Sequence, residues 1–165
     1  MSEEDAAKSL LGSLRTFLTP RGFHYAGHQT FLAERADVFL MVELQRGTGV
    51  PGDALAVALN LGVFSLPLWE RARAAGLCES GGGIHGSHWR VRLGPPSSGG
   101  RPAWWRLSEA GDAALAAELT AALEREGLPA LEEVSSLARL RALWETGRAP
   151  GLTDRQRREY LSLLD

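Results

Sequence analysis

The sequence predicts an α+β fold: an antiparallel, meander-like sheet of about four to six strands, packed by N-terminal and C-terminal α-helices. Three observations carry that expectation. Apolar residues recur at steps of three and four over residues 3–18, and again through the last third of the chain. Between those stretches they alternate with polar residues at period two. The links joining the alternating runs are short, which suits hairpins rather than βαβ units.

The first helix is marked by Ala6, Ala7, Leu10, Leu11, Leu14, Phe17 and Leu18, with Ser2 and Asp5 in capping-box positions. Pro20-Arg21-Gly22 ends it. Phe23 and Tyr25 open a strand that turns at Gly27-His28, and residues 30–34 return. After the Ala36-Asp37 turn, Val38, Leu40, Val42 and Leu44 share one face of a longer strand. Leu55, Val57, Leu59, Leu61 and Val63 do so again beyond the glycine-rich loop 47–53. A brief helix around Trp69 and the glycines at 81–83 precede a strand carrying Trp89, Val91 and Leu93. Loop 94–102 leads to Trp104-Trp105. Ser108 is placed to cap an Ala/Leu-rich helix running to Glu126 and stopped by Gly127 and Pro129. A further helix over residues 131–144, interrupted near Ser135-Ser136, ends before Gly147 and Pro150. Thr153 and Gln156 form a capping box for the last helix.

The 165 residues fit one domain over 1–165, with a core over about 3–146 and residues 150–165 as a helical extension. A hydrophobic share of 44% places the chain among globular proteins, and a net charge of -2 supplies no field to gather nucleic acid. Seventeen of the 18 basic residues are Arg, so a single Arg is a weak functional signal. The lone cysteine, Cys78, admits no internal disulfide. No apolar run reaches the length of a membrane span, and the acidic start lacks the basic region of a signal peptide. A cytoplasmic location is expected, with no membrane partner.

Arg21-Gly22-Phe23 followed by Gly27 and Thr30-Phe31, then Val42 to Arg46, then Asn60-Leu61-Gly62-Val63, make a distinctive ordered set. Trp89 to Gly94, the Trp104-Trp105 pair and Leu128-Pro129 continue it. In this order the chain resembles the bacterial domain-of-unknown-function family 4304, over about residues 8–140, one ordinary domain in size. The resemblance implies a fold and a bacterial source, and no activity. A Cys often found before the Trp89 strand in that family is replaced here by Gly86-Ser87-His88.

No catalytic constellation stands out, and the catalytic residues are unknown. His24/His28 and His85/His88 fall at turns and strand junctions rather than on helices, so no metal is expected. Glu79 beside Cys78 disfavours a thiolate. The glycines at 47–49 and 81–83 lack the Lys and Ser/Thr of a phosphate loop, and no cofactor is expected. Arg139, Arg141, Arg148, Arg155, Arg157 and Arg158 read as a solvated helix face.

The most informative set is polar and lies on the sheet. Alternation places His88, Arg90 and Arg92 together, opposite Trp89 and Val91. Glu43 and Gln45 on one neighbouring strand, and Asn60 on another, could join them, with Trp104 or Trp105 as a wall. Arg90, Arg92, His88, Asn60, Gln45 and Trp105 are therefore the candidate ligand-binding residues. Cross-strand pairing of the arginines with Glu43 and solvent would explain the same pattern. The function expected is a noncatalytic binding module that holds a protein or a small anionic ligand. The alternatives are a small hydrolase or transferase with His85 or His88 as general base, and a nucleic-acid binder through the C-terminal helices.

Overall fold

The computed structural model describes residues 2–47, 55–77, 83–99 and 103–165. Cys78, Glu79, Ser80, Gly81-Gly82 and most of loop 47–53 lie outside them.

Helix α1 (Glu3–Leu18) begins with the expected capping box: Ser2 Oγ accepts from the Asp5 N–H at 3.1 Å, and Asp5 accepts from the Ser2 N–H at 3.2 Å. Its stripe Ala6, Leu10, Leu14 and Leu18 is fully buried. The chain then enters a meander: β1 (His24–Gly27), β2 (Thr30–Arg35), β3 (Val38–Arg46) and β4 (Ala56–Phe64), each antiparallel to the one before. His28 and Gln29, with φ of 49° and 59°, make the left-handed turn between β1 and β2. Ser65 caps α2 (Leu66–Ala74), its Oγ accepting from the Leu68 N–H.

Strand β5 (Trp89–Leu93) pairs with β4 from Leu59 to Val63. A two-residue strand, β6 (Trp105–Arg106), pairs with Ala56 and Val57. Because β3 fills the other edge of β4, β5 and β6 form one edge strand interrupted by residues 94–104. The result is an open antiparallel sheet in an α+β fold.

One face of the sheet carries Leu40, Val42, Leu44, Val57, Leu59, Leu61 and Val63, all buried in the main core together with α1 and α3 (Asp112–Ala122). Removing this apolar surface from water is the main stabilising term.

Two expectations are corrected here. Ser108 does not cap α3; its Oγ accepts from the Ala110 N–H in a turn, and Gly111 at φ 90° starts the helix. Gly127 and Pro129 do not stop the helix either. A wide π turn (Leu123–Gly127) carries it into α4 (Leu128–Glu133). There the Leu128 N–H reaches back five residues to the Leu123 carbonyl, so Pro129, which has no N–H, follows without a break. A Cβ on Gly127 would stand 3.0 Å from Leu93 Cδ1 and from Leu123 Cδ2, so glycine lets the wide turn lie on the sheet.

The break near Ser135-Ser136 is present. Ser136 caps α5 (Leu137–Glu145), and the Asp37 carboxylate accepts from the Leu137 N–H at 2.8 Å. Helix α6 (Asp154–Leu164) opens with the Thr153/Gln156 capping box. Trp144 of α5 stacks on Tyr160 of α6, with ring centroids 5.7 Å apart.

Leu59 is the test of the core. Leu59→Asp places a charge where nothing can solvate it, and should remove more than about 4 kcal/mol. The variant is expected to show no cooperative thermal transition; a native-like melt would refute the assignment of faces.

Candidate functional site

The register of the sheet settles which polar residues share its second face. Thr30 pairs with Glu43, Glu43 with Asn60, and Asn60 with Arg92. These four residues form one row running straight across β2, β3, β4 and β5. Gln45, two residues beyond Glu43, opposes Ala58 on the same face. The next row runs His24, Leu32, Met41, Gly62 and Arg90, apolar at its centre and polar at both ends.

Asn60 is the hub of the row. Its Nδ2 donates to Glu43 Oε1 at 3.0 Å and to Gln45 Oε1 at 2.9 Å, and its Oδ1 accepts from Arg92 Nε at 2.9 Å. A second Arg92 nitrogen donates to Gln45 Oε1. Arg92 also lies 5.0 Å from the Trp104 ring centroid, within cation–π range. Asn60 is only 9% exposed, while Glu43, Gln45, Arg92 and Trp104 are half-buried. The floor is kept low by small residues at Ala58 and Gly62. A Cβ on Gly62 would meet Ser87 Oγ at 2.5 Å and Ile84 Cδ1 at 2.7 Å, so glycine lets the turn Ile84–Gly86 settle onto the sheet. Beside that turn is a cleft of about 370 Å³ lined by Asn60, Ile84, His85, Arg90, Arg92 and Gly151.

All the candidate residues but Trp105 reach one face, and they do not share one fate. Gln45, Asn60 and Arg92 converge. Arg90 is turned to the C-terminal segment, donating to the carbonyls of His85 at 2.9 Å and Gly151 at 3.0 Å, while its own N–H bonds Pro150. A side chain at Gly151 would strike Arg90 Cγ at 2.3 Å, and its φ of 82° also favours glycine. His88 has the expected parity but is fully buried, stacked on Phe64 and edge-on to Tyr160. Its Nδ1 accepts from the Ser65 N–H at 3.0 Å. Burial lowers its pKa to about 4. It is neutral at pH 7 and out of reach of a substrate.

Trp105 must be corrected outright. It pairs with Val57, which belongs to the helix-facing set, and is 2% exposed. Trp104 is the tryptophan on the polar face. Sequence could not fix this parity, because loop 94–102 resets the phase of a two-residue strand. Glu43, weighed as a partner for the arginines, instead bonds the central amide.

The other candidates stay apart. His85 is exposed, and among the described residues no three His, Cys, Asp or Glu side chains are grouped to hold a metal. Of the C-terminal arginines, Arg141 pairs with Glu145 and Asp165, Arg155 with Glu159, and Arg157 and Arg158 with Asp154. Among the described residues no helix is long and apolar enough to cross a membrane.

Fold and face together define an α+β protein whose sheet is covered by helices on one side and keeps a polar row on the other. The chain belongs to the family described as a domain of unknown function, DUF4304, which matches residues 14–133. No curated protein and no solved structure matches it. The polar row lies wholly inside the matched residues, whereas α5 and α6 lie beyond them.

His88 gives this region a pH signature. Its pKa is about 4 folded against 6.5 unfolded, so between those values the unfolded chain binds more protons. Stability is therefore full above pH 6.5 and falls as pH drops towards 4, by up to about 3 kcal/mol from this group. Urea denaturation at pH 7 and pH 4.5 should show a larger loss in wild type than in His88→Phe. Equal losses would contradict the buried neutral imidazole.

Proposed function

We propose that this protein is a noncatalytic binding module that recognises its ligand through the polar row on the second sheet face, with Arg92 as the anchor. The observation that carries this reading is the convergence of Arg92, Asn60 and Gln45, from three strands, on one stretch of sheet where Arg92 and Gln45 stay half-exposed. Arg92 is held by neutral amides, so its charge is oriented but not compensated by them. A guanidinium fixed in this way is preorganised for a carboxylate or another planar anion. Trp104 adds a flat apolar wall, and a few polar groups beside an aromatic surface suit a small ligand or a short peptide segment.

The same observations speak against a histidine base. His88 is neutral and enclosed, and the His85 carbonyl is engaged in positioning Arg90. Catalysis through His88 would need Tyr160 of the C-terminal segment to move away first.

Thermal denaturation against a panel of carboxylates, amino acids and short peptides tests the reading. A ligand at about 100 times its Kd adds roughly 2.7 kcal/mol, which raises Tm by about 5 °C or more in a chain of this size. At least one compound is expected to do so for wild type and not for Arg92→Ala. A panel to which both proteins respond alike would sink the proposal.

A further inference from the structure

We propose that the polar row takes a zwitterion of the α-amino-acid type, its carboxylate on Arg92 and its ammonium group on Glu43. This rests on the reading above, that Arg92 anchors the ligand, and adds the second charge.

Glu43 is on β3 and Arg92 on β5, with β4 between them. Their backbones are two strand spacings apart, about 10 Å, which suits a bridge rather than a direct ion pair. Asn60 supplies the bridge. Its amide nitrogen donates to Glu43 at 3.0 Å, and its carbonyl oxygen accepts from Arg92 at 2.9 Å. The amide dipole therefore lies along the line from acid to base. Among the described residues neither Glu43 nor Arg92 makes a salt bridge.

An acid and a base held near each other, and neither in a salt bridge among the described residues, make a poor site for a single charge. A lone carboxylate on Arg92 comes to rest beside the Glu43 carboxylate. A lone cation on Glu43 comes to rest beside the guanidinium. One molecule carrying both charges turns both repulsions into attractions. At a protein surface that exchange is worth about tenfold or more in binding constant. Gln45 adds a donor: its Oε1 is occupied by Asn60 and Arg92, which directs its amide N–H groups away from them, available to a carboxylate. Trp104, 5.0 Å from the guanidinium, offers the ligand's side chain an aromatic wall.

The test is calorimetric titration at pH 7 with the common α-amino acids, each beside its des-amino carboxylate and its decarboxylated amine. Wild type, Glu43→Gln and Arg92→Gln are compared. Glu43→Gln keeps an oxygen for Asn60 and removes only the charge. At least one amino acid is expected to bind wild type about tenfold tighter than either of its analogues. In Glu43→Gln its advantage over the carboxylate should shrink to about threefold or less, with carboxylate binding retained. In Arg92→Gln both should be lost. A carboxylate that binds wild type as tightly as its amino acid would overturn the inference, as would an undiminished preference in Glu43→Gln. Either result leaves the Arg92 anchor standing if binding still vanishes in Arg92→Gln. Binding by none of the probes also overturns the inference, and the wider panel above then decides the fate of the anchor separately.

Discussion

Strand β4 is bounded on every side, and most of the fold is placed by that constraint. β3 fills one edge; β5 and β6 share the other. Val57, Leu59, Leu61 and Val63 give it a fully buried apolar face under the helices. Its opposite face runs Ala56, Ala58, Asn60, Gly62, Phe64, and each of these side chains sets what can lie above it. Gly62 admits the turn at residues 84–86, Phe64 supports His88, and Asn60 gathers Glu43, Gln45 and Arg92. A shift of register by one residue would bury the polar row and expose the core, so the apolar pattern that folds the sheet also assembles the site.

The C-terminal segment divides the second face in two. Tyr160 of α6 closes over His88, and Gly151 receives Arg90, so the β5 side of the sheet beside Phe64 is covered. At the other end, Arg92 and Trp104 stay half-exposed beside Asn60. Arg90 and Arg92 are two residues apart on one strand with the same parity, yet one secures the fold and the other faces the open row. Helix α6 lies beyond the residues matched by the family, 14–133, whereas the polar row lies within them.

Much of this was legible in the sequence. Period-two alternation fixed the strands and their faces, and Ser2/Asp5 and Thr153/Gln156 marked two helix starts through local hydrogen bonding alone. Parity put Gln45, Asn60 and Arg92 on the polar faces of their strands, and only the register brings those faces together. What could not be read depends on contacts distant in sequence. Trp105 and Trp104 exchange roles because β6 takes its phase from Val57 and not from β5. His88 is buried by a residue 72 positions away along the chain, Tyr160, which no local pattern announces. Gly127 and Pro129 look like a stop, and only packing against Leu93 shows that a wide turn absorbs them.

A polar row in mid-sheet either holds the fold together or is retained for recognition, and the two differ in stability. Leu32, Met41 and Gly62, at the centre of the neighbouring row, show that this face accommodates apolar residues on β2, β3 and β4. Replacing a bridged polar group as a whole by well-packed apolar residues is often neutral or stabilising, because desolvation offsets much of its attraction. The direct measurement is urea denaturation of the triple variant Glu43→Val, Asn60→Val, Arg92→Val. A row retained for recognition predicts a stability within about 1 kcal/mol of wild type, or above it. A loss of more than about 3 kcal/mol would show that the row is a structural tie and would contradict the account.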